Sequence, residues 1–475
     1  MDTDVVISGA GPAGLLLASE LALAGVRVRV LERLTARHEQ SRALTLHPRS
    51  IEILDLRGIA GRFLDAGHTL PGWHFASLPT RLDFSSLETR HGYTLFLAQA
   101  QTERLLEERA RELGVEVAYG HEVVSVAQDE NGVDVVVTGP DGEATLRAAY
   151  VVGCDGARSR VRESAGIGFP GSDTTVTGML GDFTTVDAAA IAEGGGPLMI
   201  VPLSDGATRF VVVDPDRMHV PTSEPVTFEE FRAAVVRMTG QSFGIAEPRW
   251  LSRFGNATRL AETYRAGRVF LAGDAAHIHF PAAGQGLNVG LQDAMNLGWK
   301  LAAEINGWAP PGLLDTYHAE RHPVGKSVTD NTLSQVLLLE LLLVPQYQRP
   351  VAALRDLLND LLGIPEVNAR LAGLVTALGT TYPSPDDPLI GTRMPDLDLD
   401  GPGQRVSSLL HTGKFAYLTS GAAPAVPADR VTVAALPEKW EAEEVLVRPD
   451  GHIAWVRRPG SAPADLSALS AWITA

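Results

Sequence analysis

The chain has 475 residues, 45% of them apolar and 20% charged, with a formal net charge of −17. That length exceeds what one hydrophobic core fills and points to about three domains of ordinary globular composition. The charge excludes a nucleic-acid or anionic-membrane surface, which needs clustered Lys and Arg, and the single cysteine, Cys154, excludes internal disulfides and any thiol-pair redox cycle.

In chain order, DVVISG reads as a buried parallel strand, LLLASELALAG as a helix ending at a glycine, and VRVRVLER as the next strand, a βαβ unit that starts almost at Met1. No basic region precedes an apolar run there, so no signal peptide is expected. QTERLLEERARELG predicts a helix, and residues 115–156 predict several short strands with Asn-Gly and Asp-Gly turns. From about Asp173 to Leu260 the pattern becomes an antiparallel sheet around one helix, TFEEFRAAVVRMTG. Rossmann-like character returns at RVFLAGDAAH and long helices follow to about Leu378. VLLLELLLVP within them is shorter than the roughly 18 apolar residues of a membrane span and carries Glu340. A Pro- and Asp-rich link then leads to VLVRPDGHIAWV, two apolar strands turned at Pro449, Asp450 and Gly451.

Three motifs carry chemistry. The first is Gly9-Ala-Gly11-Pro12-Ala13-Gly14 between strand and helix, with Glu32 closing the second strand. Glycines there allow a pyrophosphate to approach the backbone at a helix N-terminus, and the acid accepts from an adenosine ribose. An unphosphorylated ribose suits Glu32, so the dinucleotide is FAD or NAD. The second is CDGARSRVR, with Asp155 and Gly156 ahead of Arg158, Arg160 and Arg162. Cations sit poorly at a helix N-terminus, so this is either a solvated basic turn or a place where a nearby anion relieves the misfit. The third is GDAAHIHFPAAGQGLN, where Asp274 ends a strand and Gly284 to Asn288 offer backbone N–H groups at a helix start. Such donors suit a ring edge that becomes electron-rich on reduction. His277 and His279 read as packing or capping residues, and thirteen histidines without metal-ligand spacing predict no metal site.

With these motifs in this order the chain resembles the class A flavoprotein monooxygenases, the para-hydroxybenzoate hydroxylase-like group, and within it the actinobacterial aromatic polyketide hydroxylases. The resemblance covers nearly the whole chain. It implies an α/β fold: a Rossmann-like FAD-binding domain (GR2-type) from 1–172 and 265–380, an antiparallel-sheet substrate domain at 173–264 with a contribution from 73–97, and a C-terminal thioredoxin-like domain at 381–475. With no cysteine after Cys154, that last domain is structural or a dimer contact. Extended FAD would meet Gly9, Gly11, Pro12, Ala13, Gly14, Glu32 and Arg33, then Arg42, Gln99, Val123, Asp155 and Gly156. Asp274 would hold its ribityl chain, and Pro281, Gly284, Gly286, Leu287 and Asn288 its ring. Relatives often carry two prolines and two glycines where this chain has Phe280-Pro281 and Ala283-Gly284.

The resemblance further implies that NADPH binds transiently and reduces FAD, that the reduced flavin takes up O2 as a C4a-hydroperoxide, and that the distal oxygen passes to an aromatic ring. No side chain is then assigned as acid or base, and Arg42 is the candidate gating residue. The substrate is expected between the flavin and the sheet, lined from among Phe75, Phe183, Met199, Val201, Phe210, Trp250 and Phe280, each of which reads equally as core. The apolar lining favours a neutral polycyclic aromatic polyketide, as in antibiotic biosynthesis. The same scaffold serves antibiotic-modifying oxygenation of rifamycin or tetracycline type and Baeyer–Villiger oxygenation, and a flavin-binding protein without turnover is the reading outside enzymology. Expected partners are that small molecule alone, with no nucleic acid and no membrane, in a cytoplasmic monomer or homodimer.

Overall fold

Thr3–Ser8 and Val28–Glu32 are β-branched runs with little polar alternation, the pattern of strands covered on both faces. In the computed structural model they lie side by side in the middle of an eight-stranded sheet. The structure describes residues 1–192, 198–203, 206–382, 384–437, 440–461, 469 and 471–473.

The sheet runs Arg265–Ala266, Val269–Leu271, Gly142–Gly153, Thr3–Ser8, Val28–Glu32 and Glu116–Tyr119. Its neighbours are parallel except at the first pair. Gly142–Gly153 serves twice: its first half pairs antiparallel with Val133–Gly139, and its second half enters the parallel sheet beside Thr3–Ser8. Gly142–Gly153 and Val28–Glu32 lie on opposite sides of Thr3–Ser8, so the chain's connections part there and a crevice opens at its carboxyl end, where Gly9 begins. Helix Pro12–Leu23 lies against helix Gln285–Ile305 across this end. They approach closely because Gly298 and Gly290 face Glu20 and Ala13; a Cβ at Gly298 would stand 2.6 Å from the Cβ of Glu20.

The second sheet is antiparallel, in the order Met199–Pro202, Thr208–Val212, Thr177–Thr185, Ala246–Gly255. Its register sorts the side chains. Gly178, Leu180 and Asp182 share one face with Met199, Val201, Arg209, Val211, Trp250, Ser252 and Phe254, while Met179, Phe183, Phe210 and Val212 share the other. Helix Phe228–Thr239, capped by the Thr227 hydroxyl and stopped at Gly240 with φ +80°, covers that second face with Phe231 and Val235. Residues 73–97 lie elsewhere. Gly72–Trp73 pairs with Leu82–Asp83, and Phe75, Leu82 and Phe84 bury with Ala283, Leu338 and Leu362. Thr94–Phe96 pairs with Thr45–Leu46 and His68–Leu70 beside the main sheet.

The C-terminal sheet runs Val431–Ala435, Phe415–Thr419, Glu444–Val447, Ile453–Arg457, with its first pair parallel and the rest antiparallel. Among the described residues no single helix is long and apolar enough to cross a membrane.

Candidate functional site

The glycines of the first motif have different jobs. Gly9, at φ +103°, leaves no room for a Cβ, which would sit 2.4 Å from the Cys154 carbonyl oxygen. Gly14 is tighter still, 2.1 Å from the carbonyl of Gly9. Gly11 is free: a Cβ there meets nothing within 4 Å. Above Gly11 helix Pro12–Leu23 begins without a side-chain cap or an acidic residue in its first turn, so no side chain there answers its first N–H groups. Glu32 is fixed beside this turn, accepting from the amides of Ala10 (2.9 Å) and Leu34 (3.0 Å). Arg33 is exposed and Val123 is buried on strand Glu122–Gln128.

Gln99 opens helix Gln99–Glu112 and clasps the loop before it. Its Oε1 accepts from the amide of Ala43 at 3.2 Å and its Nε2 donates to Glu103 at 2.8 Å. Arg42 thus has a pinned backbone and an exposed side chain. Its carbonyl accepts from Arg209 of the second sheet (3.1 Å), which is paired in turn with Asp182 at 2.7 Å. Burial pushes the Glu103 carboxyl up to about 7, against the Gln99 donor, with Glu32 adding to the rise.

The second motif resolves its charge misfit within itself. Asp155 accepts from the amides of Arg160 (2.9 Å) and Val161 (3.3 Å), and the Ser159 hydroxyl accepts from that of Arg162. Arg162 then folds inward, donating to the carbonyl of Ala275 at 2.9 Å, with Phe169 beneath its guanidinium at 3.8 Å. Asp155 thus caps the main chain of this turn, Arg160 pairs with Glu163 at 3.1 Å, and Arg162 is a tie to the third motif. The other Asp155 oxygen, Oδ1, is buried without a partner, and burial raises this carboxyl.

In the third motif Gly273–Ala275 forms a tight turn, and Asp274 is exposed between buried neighbours. The carboxylate of Asp293, on helix Gln285–Ile305, accepts from the Gly273 amide (3.1 Å), from His277 Nε2 (2.7 Å) and from Arg321 (2.8 Å). His277 is therefore a structural partner of Asp293. His279 gives Nδ1 to the Phe280 carbonyl at 2.8 Å and keeps a buried Nε2 without a partner. Ala283 and Gly284 both have positive φ, so the chain enters the helix through a left-handed kink. Asn288, expected at the ring, spends its side chain elsewhere: Oδ1 accepts from the His47 amide at 2.7 Å, and Nδ2 donates to the carbonyls of Thr45 and Gly284. His47 returns to the same kink through Nε2 and the Ala283 carbonyl (2.7 Å), and burial lowers its imidazole to about 4. Pro281 is exposed and Gly286 and Leu287 are half-buried at the kink's outer side.

The sheet register separates the expected pocket residues. Arg209 reaches the Arg42 loop and Phe254 packs on Phe280 at 5.9 Å, so the Asp182–Trp250 face looks toward the three motifs. Trp250, Val201 and Met199 lie on that face. Phe183 and Phe210 do not. Both are fully buried under helix Phe228–Thr239, 5.8 Å apart edge to face, and belong to the domain core. Phe75 is buried against Ala283 and Leu338.

The three motifs, far apart in sequence, meet at one place. Gly9 closes on Cys154, Arg162 reaches Ala275, and Ala13 lies against Gly273 and Gly290. An extended dinucleotide fits these residues: open backbone at Gly11 and Gly156, an acid at the ribose end, an exposed Asp274 and a helix start at Gln285. His47, Asp293 and the Asp182–Arg209 pair leave no motif in the sequence, because each acts through long-range contacts of a side chain of ordinary type.

Residues 2–332 match the family described as FAD binding domain, and residues 387–475 match the aromatic-ring hydroxylase C-terminal family. The sequence is 46% identical over 476 residues to an uncharacterized aromatic compound monooxygenase of Bacillus subtilis (strain 168), covering 96% of this chain and 94% of that one. It is 46% identical over 465 residues to a rifampicin monooxygenase of Streptomyces venezuelae, covering 95% of each. The structure superposes on that of the OxyS anhydrotetracycline hydroxylase from Streptomyces rimosus with a TM-score of 0.89 at 43% identity, across 100% of this chain and 99% of that one.

Proposed function

The chain belongs to the FAD-dependent aromatic-ring hydroxylases, and from that premise we propose that it inserts one atom of dioxygen into a neutral polycyclic aromatic polyketide, with NADPH as electron donor. The observation that carries this reading is the meeting of the three motifs around the open backbone at Gly11. The overall change is substrate C–H, NADPH, a proton and O2 going to substrate C–OH, NADP⁺ and water. Bound FAD supplies the redox chemistry, passing two electrons from the nicotinamide to oxygen.

The chain's own residues bind, orient and keep water out. The Gly11 turn and the first amides of helix Pro12–Leu23 would hold the diphosphate, Glu32 the ribose, Asp274 the ribityl chain, and the amides from Gln285 to Leu287 the ring. Arg42 gates, its backbone tied to the substrate sheet by Arg209 while its side chain stays free to follow the diphosphate. On the pocket side Trp250, Val201, Phe254 and Phe280 offer apolar walls. The guanidinium on that face, Arg209, is already neutralised by Asp182, so an anionic benzoate gains little there and a neutral ring system gains burial. The C-terminal sheet, with a central strand that has one parallel and one antiparallel neighbour, we read as thioredoxin-like and without thiol chemistry.

The test is an aerobic assay of the purified flavoprotein with NADPH and a panel of anthracyclines, angucyclines, tetracyclines and rifamycins, following NADPH loss, peroxide and product mass together. One scaffold should accelerate NADPH loss at least about tenfold and gain a single oxygen atom with little peroxide. A bound flavin that no nicotinamide reduces, with or without ligand, would sink the enzyme reading in favour of a flavin-binding protein without turnover.

A further inference from the structure

We infer that the tip of the C-terminal hairpin, Arg448–His452, is a positioning element of the flavin site: it holds the Asp274 turn through one continuous chain of buried ion pairs, ring contacts and hydrogen bonds. The inference rests on the reading that FAD lies along that turn.

The chain can be followed atom by atom. Arg448, 1% exposed, donates a bidentate pair to Glu320 of helix Asp315–Glu340 at 2.7 and 2.8 Å, and also to Asp450. Glu320 accepts as well from Lys300 (2.8 Å) and Asn296 (2.6 Å) on helix Gln285–Ile305. Asp450 accepts from Trp299 Nε1 at 3.3 Å, and its carbonyl accepts from Arg49 at 2.6 Å. His452 stacks on Tyr382 at 4.4 Å, and the Tyr382 hydroxyl accepts from Arg321 at 3.2 Å. Arg321 continues to Asp293, and Asp293 holds the amide of Gly273 and the ring of His277, the residues on either side of Asp274.

Two features make this more than a glued interface. Three cations, Arg448, Lys300 and Arg321, face three carboxylates, Asp450, Glu320 and Asp293, and the hairpin tip supplies one charge of each sign to this balanced set. Burial alone would raise Glu320, yet Arg448 and Lys300 outweigh it and hold the carboxyl down at about 2. Removing either hairpin residue leaves an unpaired buried charge beside Tyr382, the residue that holds Arg321 and over whose ring the Arg448 guanidinium sits at 5.2 Å. The turn beyond it is short, and outer contacts of this kind are what fix the direction of a group that touches a ligand.

The variants are Tyr382→Phe, which deletes one hydroxyl and keeps the ring on His452, and Arg448→Lys, which keeps the charge and loses the fork. The control is Glu230→Gln, which breaks the half-buried Arg253 pair in the substrate sheet. Amide exchange of residues 272–277 is measured in the flavin-free full chain, and FAD affinity by flavin fluorescence. Both variants should speed exchange in that segment about tenfold and weaken FAD by a similar factor, while the control lowers the melting temperature and leaves both unchanged. The inference is overturned if exchange at 272–277 stays within about twofold of the parent in both variants, or in Tyr382→Phe alone should Arg448→Lys not fold. Faster exchange with unaltered FAD affinity would uphold the hold on the turn and remove Asp274 from the flavin site.

Discussion

Gly11 and Gly14 stand three positions apart and answer to different neighbours. A methyl group at Gly14 would enter the backbone of Gly9, and nothing flexible lies nearby to yield. Gly14→Ala should therefore cost the flavin-free protein about 3 kcal/mol, the upper range for overpacking against main chain. Gly11 has φ −73° and ψ 178°, an extended conformation any residue adopts, and open space beyond it. Gly11→Ala should leave the flavin-free protein as stable as before or about 0.5 kcal/mol more so, since it removes glycine's freedom in the unfolded chain. Under the proposed function its methyl projects into the path of the diphosphate, so FAD affinity should fall at least about tenfold. Urea melts of the flavin-free variants and FAD titrations separate the two effects. A Gly11→Ala protein with parental FAD affinity would move the diphosphate away from this turn.

At the scale of the element, helix Gln99–Glu112 turns acid toward acid. Glu103 lies one turn from Gln99 and feels both Glu32 and Glu107. With burial as the main cause, its carboxyl titrates near 7 rather than at its ordinary 4.5. Between those values the folded state keeps a proton that the unfolded state has released, so stability falls as pH rises through the window and levels off above it. Glu103→Gln preserves an acceptor for Gln99 and removes that term. The variant should match the parent at pH 4 and exceed it by roughly 2 kcal/mol at pH 8; a gap that is the same at both values would show that the carboxylate is not desolvated.

How far the sequence reaches is also a matter of elements. The glycine turns were legible because their geometry depends on neighbours within a few positions: Gly9, Gly11 and Gly14, or Ala283 and Gly284 ahead of Gln285. Strands were legible as strands, but not by face. Phe183 and Asp182 alternate on one strand, and when a helix covers one side and a ligand the other, both sides can be apolar. Charge read locally does not reach all of Arg162, whose guanidinium donates to the nearby Ala157 carbonyl and to that of Ala275 more than a hundred residues away, over a phenylalanine ring. Asn288 was legible as part of a helix start, but not its side chain's second task, which is to clasp the His47 amide. Long-range pairing leaves no periodic trace.

The whole molecule has a continuous centre and one separate lobe. A single buried cluster joins Val5, Leu16 and Ile53 of the flavin half to Val406, Leu410, Ala416 and Ile453 of the C-terminal half. A second joins Trp299 and Leu313 to Phe415, Tyr417 and Leu446. The second sheet, Thr177–Thr185 and its neighbours, instead packs Phe183, Phe210 and Phe231 in a cluster of its own. Cooperativity follows shared apolar surface more than position in the chain. Native-state hydrogen exchange should thus give Phe415–Thr419 and Thr3–Ser8 the same opening free energy within about 1 kcal/mol, with Thr177–Thr185 opening at least about 2 kcal/mol below them. A chain ended at residue 386 should then fail to fold, because Leu16 and Ile53 would lose part of their cover and Lys300, Glu320 and Arg49 their partners at the hairpin tip. If Phe415–Thr419 opens alone and well below Thr3–Ser8, the C-terminal domain is an appended module, and the buried charges at its hairpin are a seal between two independent folds.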